Sequence, residues 1–309
     1  MKVAIAHYCE GAGHGTRMLA VAEAVEEKGH DVVIGGGGPG AKFVEINGFD
    51  EFRPQEVNYI DDYQNRGLLS TFTGSIPKSI GRIKDYIEWF RDEDPDLTVT
   101  DDMFAGVALT LLRKDFYFIH HGSSELYEDS LEVLGDFFWR KYFEVFAEGV
   151  IQPIMWENKS YISVGPIALE KEEDIEEDID VLTVPSSHSE ERLDEIEKKL
   201  EAEGREITKV GGEDWEIKKS LQPYIEDAEV VICSGYSTVM EAAVAGTPCL
   251  IIPETSEQYG ISKLIDDKAF KLVESPEEAL EEIKNIRQPR EYSNGADEIA
   301  DIVEKEVES

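Results

Sequence analysis

The stretch Glu229–Gln258, EVVICSGYSTVMEAAVAGTPCLIIPETSEQ, leaves few folds open. Val230–Cys233 is an apolar run of buried-strand type, and Ser234-Gly235-Tyr236-Ser237 is a turn. Thr238–Ala245 is an Ala-rich helix stopped by Gly246, and Pro248–Pro253 is a second apolar run. Two buried strands joined by one short helix make a βαβ unit, which requires a parallel sheet. The turn places Ser234, Gly235, Ser237 and Thr238 at a helix amino end. Unpaired N–H groups and the positive end of the helix dipole favour an anion there. Glu241 follows one turn later on the face of Ser237 and Thr238, within reach of a sugar hydroxyl. An anion site with a carboxylate beside it suits a nucleotide sugar. Thr238-Val239-Met240-Glu241 also fits a capping box, in which Glu241 bonds back to the Thr238 N–H and needs no ligand.

The amino-terminal end repeats this plan. Val3–Ala6 reads as a strand, Glu10–Arg17 as a Gly-rich turn, 16–28 as a helix and Asp31–Ile34 as a second strand. Gly11-x-Gly13-x-Gly15 is not the dinucleotide spacing, and the second strand runs into Gly35–Gly38 where a nicotinamide enzyme places an acid. A dehydrogenase is thereby disfavoured. Ile76, Ile80, Ile83, Ile87 and Phe90 predict one apolar stripe on a helix over Ile76–Arg91. Leu97–Thr100 and Phe116–Ile119 read as buried strands, ending in Asp101-Asp102 and His120-His121. Ligands of open parallel sheets gather at the carboxyl ends of strands, so these residues are expected at a cleft.

The string CSGYSTVMEAAVAGTPCLIIPETSEQ resembles the donor-binding motif of nucleotide-sugar glycosyltransferases of the GT-B fold. It is similar to the family that includes the bacterial transferase making lipid II and its archaeal relatives. The Glu10–Arg17 loop resembles the GEGxGHxTR sequence of the same relatives. The resemblance implies an α/β chain of two Rossmann-like domains facing a central cleft. The expected division is 1–158 for the acceptor side and 159–309 for the donor side, with the last helix crossing back. Val164-Gly165-Pro166 is similar to the family's entry into the second half.

By the same resemblance, Ser234–Thr238 face the donor diphosphate, Glu241 holds the ribose, Gln258 approaches the sugar, and Gly13 helps open the cleft. His14 matches the motif's histidine. An imidazole titrates near neutral pH, so His14 is the first candidate for the base, against a role in ordering its loop. Asp102 is the alternative base, or the acid that orients His14. His120 and His121 are acceptor-side candidates, and Asn58–Thr73 is expected to be an acceptor loop. At Pro185–Ser189 the chain departs from the family's Gly-Ser-x-Gly, which puts a phosphate role for Ser186–Ser189 in doubt.

The implied reaction moves a sugar from a nucleotide donor, expected to be UDP-linked, to a glycan or lipid-linked acceptor, with inversion and no cofactor. Asp101 and Asp102 are adjacent and face opposite ways at a strand end, so one ion could not readily take both, and metal-independent transfer is expected. A 2-epimerase of nucleotide sugars on the same fold is the alternative activity. A donor-binding subunit that needs a membrane partner is the alternative without activity of its own.

Sixty-seven acidic residues against 30 basic ones give a net charge of −37. No basic stripe offsets that repulsion, so nucleic acid is excluded as a partner. The acids are dispersed, as on a surface suited to high salt, and a halophilic protein is expected. No apolar run reaches transmembrane length, and the start MKVAIAHYC is too short in apolar residues for a signal peptide. Cys9, Cys233 and Cys249 have no metal spacing. A cytoplasmic protein is expected, at the inner face of the membrane if the acceptor is lipid-linked.

Overall fold

The computed structural model describes residues 1–57, 75–120, 130–156, 161–171, 178–185, 190–210, 216–265 and 267–308. Its first half alternates β1 (Lys2–Ala6), α1 (Ala12–Glu27), β2 (Asp31–Gly35), α2 (Ala41–Ile46), β3 (Glu51–Phe52), α3 (Ile76–Glu93), β4 (Leu97–Thr100), α4 (Met103–Leu112), β5 (Phe116–Ile119) and α5 (Ser130–Phe146). Two further strands follow, β6 (Gly149–Pro153) and β7 (Ile162–Val164). The second half comprises β8 (Ile179–Val184), α6 (Glu190–Ala202), β9 (Ile207–Lys209), α7 (Gln222–Glu226), β10 (Ala228–Cys233), α8 (Tyr236–Ala245), β11 (Cys249–Ile251), α9 (Ser256–Ile265), β12 (Phe270–Leu272), α10 (Pro276–Glu282) and α11 (Gly295–Glu308).

Among the described residues these strands form two parallel sheets, ordered β3-β2-β1-β4-β5-β6-β7 and β12-β11-β10-β8-β9. Val3 pairs with Val32 on one side and Leu97 on the other, and Val231 pairs with Leu182 and Cys249. The strand order reverses between β1 and β4 in the first sheet and between β8 and β10 in the second. A crevice opens at each such point, outside the carboxyl ends of the strands. Both glycine-containing turns leave from those ends.

The apolar β4 and β5 are buried at every residue, as parallel strands with helices on both faces require. Helix α1 buries Met18, Leu19, Val21, Ala22 and Val25 against that sheet. Each of the Met, Leu and Val side chains stabilises by about 1.5–3 kcal/mol when fully buried. The helix begins at Ala12, four residues before the expected Thr16, so the glycine loop itself supplies its first turn. Helix α3 corrects a second expectation. Its buried face is Ser79, Arg82, Tyr86, Trp89 and Phe90, while Ile80 is half exposed. Stacked aromatics and an ion pair made by Arg82 decide the face, and the isoleucines flank it.

Strand β7, Ile162–Val164, lies beyond the division expected from sequence after residue 158 and is the edge strand of the first sheet. Two connections then cross. A side chain at Gly165 would strike the carbonyl of Ser293, and one at Gly295 would strike the carbonyl of Gly165, so only glycine fits at this approach. Asn294 ties the crossing: its Oδ1 accepts from the Ala168 N–H at 3.2 Å, and its Nδ2 donates to the Ala168 carbonyl at 2.8 Å. Helix α11 then packs Ala296, Ile299, Ala300 and Val303 into the core that holds Met18 and Leu19. No helix among the described residues is long and apolar enough to cross a membrane.

Candidate active site

Strand β10 ends in Cys233, and the chain turns through buried Ser234 into α8. The cap of α8 is Gly235, with extended φ/ψ of −87° and 137° and no side-chain hydrogen bond. The first N–H groups of the helix are therefore not spent on a side-chain cap, as an anion site requires. Because the cap is Gly235, Thr238 is already the third helical residue, and the capping box expected as an alternative for Glu241 does not form. Glu241 is 6% exposed, and burial pushes its carboxyl up to about 8. It lies on α8 one turn after Ser237, and its charge is among the causes that raise the Cys233 thiol.

Gln258 is engaged otherwise. Its Oε1 accepts from the N–H groups of Glu254 at 2.9 Å and Thr255 at 3.3 Å. The Gln258 N–H in turn donates to Thr255 Oγ1 at 3.2 Å. This reciprocal T-x-x-Q box opens α9 and occupies the oxygen of the side chain expected at the sugar.

Across the cleft, α1 presents a second uncapped amino end: its cap is Gly11, at φ 82°, with no side-chain bond. The two helix starts meet closely, because a Cβ on Gly13 would strike Ser237 Oγ. His14 sits on the first turn of α1, with a side chain 25% exposed and the Tyr8 ring edge-on at 5.5 Å. Its Nδ1 lies 2.8 Å from Asp101 Oδ2, and Asp101 Oδ1 accepts from the Tyr8 N–H at 2.8 Å. Arg17 bonds the same Asp101 oxygen, and its Nη2 stands 3.0 Å from His14 Nδ1. Burial alone would raise the Asp101 pKa, but His14 and Arg17 outweigh it and hold the carboxyl well below the usual carboxylate range.

Asp101, not the expected Asp102, is thus the acid that orients His14. Asp102 is fully buried on the other side of the strand end. Its Oδ2 accepts from Arg82 Nε at 2.7 Å and Tyr86 Oη at 2.9 Å, and its Oδ1 caps α4 through the Phe104 N–H at 2.8 Å. It has neither exposure nor a spare oxygen for a base. His120 ends β5, next to β4 and on the same sheet edge as Asp101. Its N–H donates to the Ile151 carbonyl at 2.9 Å, and its ring lies 6.2 Å from that of Phe118. His121, Asn58–Thr73 and Ser186–Ser189 fall outside the described residues. The sequence reading missed Asp101 as His14's partner, and Arg17 and Arg82 altogether. The available signal was an arginine set among the apolar positions of α1 and of α3 in a chain with few basic residues.

Residues 182–300 match the Glycosyltransferase family 28 C-terminal domain. An uncharacterized glycosyltransferase of Methanosarcina mazei is 26% identical, over 94% of this chain and 91% of its own length. The Streptomyces sp. SF2575 glycosyltransferase SsfS6, solved with thymidine diphosphate, superposes with a TM-score of 0.66 at 13% identity, covering 99% of both chains. A putative UDP-N-acetylglucosamine 2-epimerase from Listeria monocytogenes gives 0.70 at 13% identity, covering 99% of this chain and 96% of that one. Two parallel-sheet halves, a match to the family 28 C-terminal domain over 182–300 and a glycosyltransferase relative aligned along nearly the whole chain make this protein similar to glycosyltransferases of the GT-B fold.

Proposed function

We propose that the chain transfers a glycosyl group from a UDP-linked sugar to a glycan or lipid-linked acceptor, with inversion and without a metal ion. The observation that carries this reading is the facing of the uncapped α8 start, with Glu241 one turn along the helix, against the His14–Asp101 pair. An acceptor hydroxyl oxygen attacks the anomeric carbon, and the bond from that carbon to the diphosphate oxygen breaks. His14 takes the hydroxyl proton, and the N–H groups of Ser234–Thr238 receive the charge developing on the leaving diphosphate. An ionised Asp101 only accepts, so a neutral His14 bonded to it carries its proton on Nδ1 and leaves the lone pair on Nε2. The donor-only guanidinium of Arg17 then bonds Asp101 and not the ring. Asp101 is held by Arg17 and Asp102 by Arg82, which supports transfer without an ion on either carboxylate. Exposed Phe137, Phe138 and Phe146 on α5 support contact with a lipid-linked acceptor or a membrane partner. We assign 1–164 to the acceptor side and the block up to Gly295 to the donor side. The dispersed acids support a halophilic setting.

Incubation with UDP-sugars and candidate acceptors, with EDTA present, tests the reading: UDP should be released and a glycosylated acceptor formed. Activity lost to EDTA and restored by Mg²⁺ would point to a metal. The epimerase relative in fold motivates a second reading. Under it, UDP-N-acetylglucosamine would be converted without acceptor, and proton NMR of the sugar would show the 2-epimer.

Glu241 gives a separate expectation. A carboxylate on two ribose hydroxyls makes charge-assisted bonds about twice as strong as neutral ones. In calorimetric titration at about pH 9, above the value of about 8 to which burial pushes the carboxyl and where it is therefore ionised, Glu241→Gln should weaken UDP binding about ten- to a hundredfold. Because burial holds the free carboxyl up to about 8, wild-type affinity should rise as pH climbs through that value. The Gln variant should show no such rise. Equal UDP affinity in the two proteins at that higher pH would remove Glu241 from the donor site.

A further inference from the structure

We propose that Arg17 is a positioning residue that sets the proton affinity of His14 by neutralising Asp101. The proposal rests on the reading of His14 as the base only for its effect on turnover. Its core concerns the ring itself. Arg17 is buried on α1, one turn after His14, and its guanidinium reaches both Asp101 Oδ2 and, at 3.0 Å, His14 Nδ1. A lone buried carboxylate at 2.8 Å from an imidazole stabilises the imidazolium and so makes the ring a base that is already protonated near neutrality. A guanidinium on the same oxygen cancels most of that attraction and adds a like charge beside the ring. The carboxylate is then left to orient Nδ1–H without locking a second proton onto Nε2.

Among the described residues, other charged or titratable groups near His14 come from several elements around it. From the end of β1, Tyr8 stands edge-on and its hydroxyl donates to Glu10 at 2.8 Å. From the end of β4 comes Asp101 alone, since Asp102 turns away onto Arg82. From α8, Ser237 meets Gly13, and Tyr236, whose hydroxyl bonds the Pro153 carbonyl at 3.3 Å, feels the charge of Arg17. Arg17 is the cation among these that touches the pair.

The test is an NMR titration of the His14 ring in the full chain, beside the pH profile of turnover. In Arg17→Gln the His14 midpoint should move up by about one pH unit or more, in Asp101→Asn it should move down, and Arg17→Lys should stay near wild type. The acid limb of turnover should follow the ring in each. A midpoint in Arg17→Gln equal to or below wild type overturns the proposal. Should that variant not fold, an unchanged midpoint in Asp101→Asn does the same. Midpoints that move while turnover ignores them uphold the role of Arg17 and instead remove His14 as the base.

Discussion

Replacing Arg82 by Met is expected to destabilise the protein by about 3–5 kcal/mol, the cost of leaving one partner of a buried ion pair uncompensated. Arg82 is 0% exposed. Besides Asp102, it donates to the carbonyls of Gly36 at 2.8 Å, Gln55 at 3.1 Å and His7 at 3.2 Å. It therefore ties the ends of β1 and β2 and the chain after β3 to the start of α4. The variant strands the Asp102 carboxylate and the carbonyls of buried His7 and Gly36, where each unsatisfied group costs about 1–3 kcal/mol. Urea unfolding followed by circular dichroism measures the loss. Adding Asp102→Leu to Arg82→Met should recover part of it by removing the orphan charge, although the cap of α4 is then lost at about 1 kcal/mol. A single-variant loss below about 1 kcal/mol, the scale of an exposed pair, would show that water reaches the network.

His14→Ala should lower turnover about a hundredfold or more while UDP affinity holds, the signature of a general base that acts only in the transition state. In the proposed reading UDP is held from the α8 side, so removing the imidazole takes no direct donor contact away. Steady-state rates with saturating acceptor, paired with calorimetry of UDP, check both halves of the statement. Equal weakening of binding and turnover would make His14 a loop-ordering residue. The Asp101→Asn variant should fall by less, because it leaves the ring in place and alters its tautomer and orientation.

The βαβ unit around α8 was readable because apolar runs, a Ser/Gly turn and a closing glycine all point to one local structure. The start of α1 was not. Gly13 reads as a loop residue, yet it is helical, and glycine is needed there because Ser237 of the other half approaches it. That reason is tertiary and leaves no mark on local spacing. Asp101 and Asp102 were placed at the cleft edge together, but which one faces His14 depends on the register of β4 against β1. The α3 stripe failed for a related cause. Tyr86, Trp89 and a paired arginine supply more burial than isoleucines at the same spacing, and an arginine counts as polar until its partner is known. Gln258 shows the reverse case, a motif residue taken by the helix it opens.

The crossing at Gly165 and Gly295 has a consequence for how such a chain can be cut and recombined. Since α11 completes the packing around α1, the second sheet is topologically an insertion between β7 and α11. A single break after Val164 would yield one piece lacking the cover of α1 and another carrying Ile299, Ala300 and Val303 uncovered. Two junctions placed at the glycines would instead lift out the donor block whole. Under the proposed assignment of that block to the donor, exchange of donor specificity between relatives becomes a matter of transplanting it between two points that already touch.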